Sequence, residues 1–288
     1  MITKTFEYFR PTSINEALSI LAENRDRNTK LLAGGQSLIP IMKLGLVNPD
    51  VVIDLKGIQQ LHGIRMEDNE LRIGALTRHV DIVRSEMIQR VCPVLQSAAK
   101  GIGHYLIRTR GTVGGSVMHC DPRADYLTVL FALDAKFIAK RLSGERTISI
   151  SQFIKGPFET TLTNDEILTE LVIPRPDNRA VEVYDKFELG HGDFGLVFVA
   201  LRIWIDFLKC TRSVILVSGI QDFPIRLTDL ELNLQSKSYD EINFDVIGSS
   251  LVGLGFDRDQ SEMSFKKKLL EILLKRSIVQ AFIQKEQR

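Results

Sequence analysis

The apolar residues of this 288-residue chain change period several times, and each change predicts an element. Thr5 to Phe9 alternates aromatic and polar side chains, as a half-buried strand does. Ser13-Ile14-Asn15-Glu16, after Pro11, carries a capping-box pattern, and Ile14, Ala17, Leu18 and Leu21 then share one helical face. Lys30 to Ala33 predicts a strand. Ser37 is a candidate cap for a short helix through Leu44, which Gly45 ends. Val51 to Asp54 reads as a buried strand, so this opening section is a β-α-β-like unit with its loop at a strand end.

Further on, Leu71 to Ile73 predicts a strand, with Thr77 as N-cap of the next helix. Pro93 opens a helix that Gly101 closes. Ala124 to Leu133 is apolar enough for a buried helix. Lys136 to Ala139 and Thr147 to Ile150 pair around Ser143-Gly144, and Ile167 to Ile173 adds a strand. Pro174-Arg175-Pro176-Asp177-Asn178 breaks regular structure and is the expected domain boundary. Beyond it, Val183 to Leu189, Leu196 to Phe207 and Arg212 to Val217 predict a mostly antiparallel sheet. Phe265, Leu269, Ile272 and Leu273 mark one face of a long C-terminal helix.

Charge and composition narrow the function. The 37 basic and 36 acidic residues leave a net charge of +1, which gives no electrostatic reason to propose nucleic acid as partner. Cys92, Cys120 and Cys210 are far apart and form no C-x-x-C pair, so a zinc or iron–sulfur site made by this chain alone is not expected. The five histidines show no metal spacing. Sparse cysteines fit a reducing cytoplasm better than a disulfide framework. The first ten residues lack the apolar core of a signal peptide, and no apolar run reaches transmembrane length.

Two short glycine loops carry the candidate chemistry. They are Ala33-Gly34-Gly35-Gln36-Ser37 and Thr112-Val113-Gly114-Gly115-Ser116. Paired glycines let backbone N–H groups approach an anion, and the flanking hydroxyls can donate to phosphate oxygens. One such loop is equally well a tight turn with a serine cap. Two within one domain point to a ligand with two phosphates, such as a dinucleotide. Neither is a Rossmann fingerprint or a P-loop.

The longer stretch Ala33-Gly34-Gly35-Gln36-Ser37-Leu38-Ile39-Pro40-Ile41-Met42-Lys43 resembles the first FAD loop of the flavoprotein subunits of molybdenum hydroxylases, the xanthine dehydrogenase and carbon monoxide dehydrogenase family. Arg110-Gly111-Thr112-Val113-Gly114-Gly115-Ser116, followed by His119-Cys120-Asp121-Pro122-Arg123-Ala124-Asp125, resembles the second. Order, spacing and total length match that medium subunit over essentially the whole chain.

The resemblance implies an α+β fold. Residues 1–176 would form an FAD-binding domain of the vanillyl-alcohol-oxidase-like (PCMH-type) fold, in subdomains of about 1–57 and 58–176. Residues 177–288 would form a C-terminal α+β domain with an antiparallel sheet and helices. It also implies a cytoplasmic three-component enzyme, assembled as a dimer of heterotrimers. A large subunit carries a molybdenum–pterin cofactor and a small subunit carries 2Fe-2S clusters. This chain would take electrons onto FAD and pass them to an external acceptor. The rival reading is a stand-alone FAD-dependent oxidoreductase of the same fold.

Residue by residue, the resemblance assigns the pyrophosphate to Ala33, Gly34, Gly35, Gln36 and Ser37, with Thr112, Gly114, Gly115 and Ser116 opposite. Ser116 stands where many relatives carry Asn. Asp125 matches a position near the adenosine ribose, and a helix N-terminal carboxylate is the plainer account of it. Leu168 matches a backbone contact to the cofactor, or is simply core. Lys186 matches a lysine near the isoalloxazine carbonyls, or is a solvated strand lysine. Phe194 matches an aromatic near the flavin ring, where carbon monoxide dehydrogenase has Tyr, or is core. Asp121 reads as a turn residue and His119 as a structural histidine. No catalytic residue and no metal ligand is assigned to this chain.

Overall fold

A computed structural model describes residues 4–174, 179–254 and 260–287. The expected boundary at Pro174–Asn178 falls, past Pro174, outside the described residues. The chain divides into two compact units. One comprises the residues up to Met87 with His104–Asp121 and Asp134–Pro174. The other comprises Ile88–Gly103, Pro122–Leu133 and the residues after Pro174.

Besides a two-stranded ribbon of Ile154–Gly156 and Glu159–Thr160, the first unit holds two main sheets. The smaller is parallel, with Val51–Asp54 between Glu7–Phe9 and Thr29–Leu32. That central strand is buried along its length, as an uninterrupted Val-Val-Ile run requires. Helix Ile14–Glu23 lays Ala17, Leu18 and Leu21 on the same core, and Ser13 Oγ accepts the Glu16 N–H at 3.1 Å to cap it. The larger sheet is antiparallel throughout. Its order is Ile64–Glu67, Glu70–Gly74, Ile167–Pro174, Lys136–Arg141 and Gly144–Ser149.

Two expected caps are corrected. Ser37 has helical dihedrals (φ −106°, ψ −51°) and its hydroxyl caps nothing in helix Leu38–Lys43. Gly45, at φ +74°, does end that helix. The Thr77 hydroxyl is drawn away to Gly63, accepting its N–H at 3.1 Å and donating to its carbonyl at 3.0 Å. Arg78 therefore takes the N-cap position of helix His79–Arg84.

In the second unit, strands Ala180–Phe187, Val197–Asp206, Lys209–Ser218 and Ile225–Arg226 form an antiparallel sheet. Its odd-numbered central residues Val199, Leu201, Ile203 and Ile205 face a core shared with helix Gln260–Glu286. Helix Asp125–Ala132 packs on the same strands, with Thr128 Oγ1 and Ser218 Oγ hydrogen-bonded at 2.6 Å. The expected stripe of the C-terminal helix is displaced. Leu273 is buried, but Phe265 and Ile272 are about half exposed. The buried stripe is Leu270, Leu273, Leu274, Ser277, Ile278, Ala281 and Phe282. It runs to the end of the helix and so removes more apolar area from water. The fully buried Ser277 hides it from a reading that counts only apolar residues. Among the described residues, no helix is long and apolar enough to cross a membrane.

Candidate functional site

The first unit brings the two glycine segments into contact. Ala33–Ser37 leaves strand Thr29–Leu32 and enters helix Leu38–Lys43. A Cβ on Gly34 would lie 2.7 Å from Gly111 Cα and closer still to the Arg110 carbonyl oxygen, so only glycine lets these backbones meet. Gly35 adopts φ +74°. No hydrogen bond among the described residues is donated by the backbone N–H of Gly34, Gly35, Gln36 or Ser37. A run of amides around a left-handed glycine forms a concave donor surface of the kind that binds anions. The Gln36 side chain folds onto the Gly34 carbonyl at 3.3 Å and holds the loop's shape.

The second segment differs from the expectation of a glycine loop with free amides. Gly114 and Gly115 lie in the first turn of helix Val113–His119, and Thr112 is its N-cap. Every amide in that turn has an acceptor. Val113 N–H donates to the Thr77 carbonyl at 3.0 Å and Gly114 N–H to the Ala75 carbonyl at 2.9 Å. Gly115 N–H donates to Thr112 Oγ1 at 3.1 Å and Ser116 N–H to the Thr112 carbonyl at 3.0 Å. These glycines therefore serve close approach. A Cβ on Gly114 would be 2.6 Å from Ala75 Cβ, and one on Gly115 would be 2.8 Å from Thr112 Oγ1 and 3.5 Å from Ala33 Cβ. The first segment thus offers the donors, and the second is its wall.

One group behind this wall was not legible in the motif. A Cβ on Gly111 would sit 2.7 Å from His79 Nε2, and the His79 N–H donates to the Gly111 carbonyl at 3.0 Å. Burial, aided by the Arg108 charge, pushes the His79 imidazole down to about 3, so it packs as a neutral ring. His119 is also held below its ordinary value by burial, against the opposing charge of Asp121, and its ring lies tilted against Phe158 with the centroids 5.2 Å apart. A neutral, ring-packed histidine is the structural one expected. The neighbouring Cys120 thiol is pushed up to about 11 by burial, which makes it unreactive. Leu168 lies in strand Ile167–Pro174 with its side chain buried, just before a register shift.

The remaining expected residues belong to the second unit. Asp125 is the first residue of its helix and is also buried. Its Oδ1 accepts the Tyr184 hydroxyl at 2.8 Å and pairs with Lys186 Nζ at 3.0 Å. Burial raises Asp125 above the ordinary carboxylate value, although Lys186 and Tyr184 pull the other way. Lys186 is not a solvated strand lysine, since its side chain is only 10% exposed. Besides Asp125, it meets Glu188 Oε2 at 2.7 Å and the Gly101 carbonyl at 2.7 Å. Its Nζ also donates to the Asp193 carbonyl at 3.5 Å, so the ammonium sits between two carboxylates and two backbone carbonyls.

Glu188 in turn accepts the Gly192 N–H at 3.2 Å and lies 3.5 Å from His191 Nδ1, so it gathers the 188–194 loop around itself. Burial, its largest single influence, would raise Glu188. The Lys186 hydrogen bond, the Gly192 N–H and the Lys186 and His191 charges together hold it below the ordinary value. At the loop's end Phe194 is 52% exposed, which excludes a core role, and the Arg123 guanidinium lies 5.3 Å from its ring centroid. Tyr184 and Glu188 carry no motif signal. The alternating strand pattern places residues 184, 186 and 188 on one face and is the only trace of the cluster in the sequence.

Residues 4–176 match the family described as the FAD binding domain in molybdopterin dehydrogenase. The glyceraldehyde dehydrogenase medium chain of Sulfolobus acidocaldarius is 35% identical over 241 residues, 84% of this chain and 85% of that one. The nicotine 6-hydroxylase medium subunit of Paenarthrobacter nicotinovorans is 31% identical, covering 95% of this chain and 96% of its own. A chain of the carbon monoxide dehydrogenase structure from Hydrogenophaga pseudoflava superposes with a TM-score of 0.89 at 28% identity, covering 98% of this chain and 99% of that one. The chain belongs to the FAD-binding subunits of the molybdopterin dehydrogenase family. Its α+β fold is the PCMH-type fold of that family's medium chains, and it is the FAD-binding component of an oxidoreductase.

Proposed function

We propose that this chain is the electron-transferring medium subunit of a heteromeric molybdenum hydroxylase. FAD supplies the chemistry of taking up electrons singly and releasing them as a pair. In this reading the electrons come from 2Fe-2S clusters on a small subunit and leave to an external acceptor. A large subunit with a molybdenum–pterin cofactor oxidises the substrate. The assembly is a dimer of heterotrimers in the cytoplasm, and the three buried free cysteines support the reducing compartment alone. The FAD-binding domain spans 1–176, in subdomains of about 1–57 and 58–176, and the C-terminal domain spans 177–288.

The single observation that carries this reading is the run of unpaired amides at Gly34, Gly35, Gln36 and Ser37, walled by the second glycine segment. That surface fits a diphosphate, which needs closely spaced donors and no intervening side chain. Ala33, Thr112, Gly114, Gly115 and Ser116 shape its wall, and the Ser116 hydroxyl is a further donor toward phosphate. Leu168 is assigned a backbone contact to the adenine or flavin region, and Asp125 a place near the adenosine ribose. Lys186 holds Asp125 and the 188–194 loop in position, and the exposed ring of Phe194 is the stacking surface for the flavin.

The test is an absorption spectrum of the complex purified through a tag on this chain. Flavin bands, iron–sulfur absorbance and two additional polypeptides are expected. Flavin on a solitary chain that is bleached directly by a substrate would overturn the subunit reading. A colourless chain that takes up no added FAD would overturn the site.

A further inference from the structure

Arg110 sets a cation beside the amide run of Gly34–Ser37. Its backbone is fixed. The Arg110 N–H donates to the Ile107 carbonyl at 3.1 Å, and the Gly111 N–H donates to the same carbonyl at 2.7 Å. A Cβ on Gly34 would lie 2.9 Å from the Arg110 carbonyl carbon, so residue 110 rests against the loop that offers its donors. The side chain, by contrast, is exposed. Among the described residues, no hydrogen bond, ion pair or ring contact engages its guanidinium.

The neighbouring Arg78 is already committed. Its backbone bridges Thr112, and its guanidinium lies 3.8 Å from Asp81 and donates to the Thr109 carbonyl at 3.5 Å. The fold itself has little use for a cation at position 110. Basic residues favour the C-terminal end of a helix, but Tyr105–Arg108 is a single turn with a small dipole. Its carbonyls are also occupied. That of Tyr105 accepts the Thr109 N–H, that of Leu106 accepts Thr109 Oγ1, and that of Ile107 accepts the two amides of Arg110 and Gly111.

A diphosphate on the amide run brings negative charge that backbone N–H groups meet with dipoles and no net charge. A guanidinium adds a full positive charge and two parallel N–H donors in the fork that matches phosphate oxygens. We propose that Arg110 is the charge partner of the FAD diphosphate, its side chain lying in solvent in the empty chain and turning onto the anion when the cofactor binds. The inference rests on the FAD reading of the amide run. The second glycine segment then supplies the wall, and the arginine ahead of it supplies the charge.

The experiment titrates the full chain with FAD at low and high salt, by flavin fluorescence, beside thermal melts of the cofactor-free protein. Wild type is compared with Arg110→Lys, Arg110→Gln and Arg110→Glu. The cofactor-free melts should coincide, because the side chain holds nothing in the chain. At low salt Arg110→Gln should bind FAD about tenfold more weakly, as loss of a charge-assisted contact implies. Arg110→Glu should be weaker still, and Arg110→Lys should fall between wild type and Arg110→Gln. The gap between wild type and Arg110→Gln should narrow at high salt, because mobile ions screen an exposed charge pair. Wild-type affinity in Arg110→Gln at low salt overturns the charge partner and leaves the cofactor site standing. So does a loss that is equal at both salt concentrations and that lysine does not relieve, since the arginine would then act by shape. A wild-type chain that takes up no FAD overturns the reading of the amide run, and the charge partner with it.

Discussion

Gly34 rests directly on the backbone of Gly111, where a Cβ would intrude to 2.7 Å from the Gly111 Cα. Neither backbone can yield without moving a second segment, because Gly111 is itself held by hydrogen bonds to Ile107 and His79. Gly34→Ala should therefore separate the two glycine segments. Expected are a lower melting temperature and FAD affinity reduced tenfold or more, about 1.4 kcal/mol. Gly35→Ala meets the terminal Cδ1 of Ile39, which can rotate aside, and the remaining cost is a left-handed alanine, roughly 1 kcal/mol. Flavin-fluorescence titration of both variants, beside their thermal melts, should rank Gly34→Ala as the more damaging.

Thr112 caps the helix that bears Gly114 and Gly115, through the 3.1 Å bond that Oγ1 accepts from Gly115 N–H. Thr112→Val keeps the shape and removes the acceptor, at a cost of about 1 kcal/mol. Thr112→Ser should retain most of it. Because the Gly115 amide loses its only acceptor, Thr112→Val should also lower FAD affinity slightly. Denaturant titration of the three forms checks the order.

Much of this architecture was legible because it is local. Val51–Asp54, the Pro93–Gly101 helix and the hairpin around Ser143-Gly144 all follow from periodicity and punctuation by proline and glycine. The glycine segments were legible as motifs. Their division of labour was not, because it depends on acceptors from elsewhere, namely the Ala75 and Thr77 carbonyls behind Gly114 and Val113. Thr77 failed as a cap for the same reason, since a partner at Gly63 competes for its hydroxyl. Lys186 likewise gave no hint of burial. Its neighbours Gly101 and Asp125 come from helices distant in sequence, and such meetings leave no mark in a hydrophobic pattern.

Glu166 supplies a test by pH. Its carboxylate is bound by Arg146 at 2.6 and 2.8 Å and by the Thr163 N–H at 2.9 Å. The Arg146 hydrogen bond, the largest influence, and the Thr163 bonds bring it down to about 2 from an ordinary 4.5. A folded value below the unfolded one means that this stabilisation is fully present above pH 4.5. It is lost as pH falls from there toward 2. Arg146 is 44% exposed, so solvent screening reduces the contribution to on the order of 1 kcal/mol. Glu166→Gln should be less stable than wild type at pH 7, and the two should converge in acid. Parallel chemical denaturation at pH 7 and pH 3 measures the convergence.

Lys186 is the charge on which the second unit's polar cluster depends. Removing it in Lys186→Met leaves Asp125 and Glu188 close together with no buried cation, and breaking a buried pair this way costs about 3–5 kcal/mol. Both carboxylates should then titrate higher in the folded state than in the unfolded one. The sign of the pH dependence is therefore opposite to that of Glu166. The folded variant is favoured in mild acid, where the carboxyls are protonated, and loses stability as pH rises through their folded values. Adding Asp125→Asn should recover part of the loss at pH 7, because one of the two stranded charges is gone. The readout that isolates positioning is the 188–194 loop. With Glu188 no longer tethered by Lys186, the Gly192 amide that bonds to it should exchange with solvent much faster, while amides in strand Val197–Asp206 stay protected. Equal protection of Gly192 in both proteins would show that Lys186 does not hold that loop, and would return the lysine to direct cofactor contact as its main role.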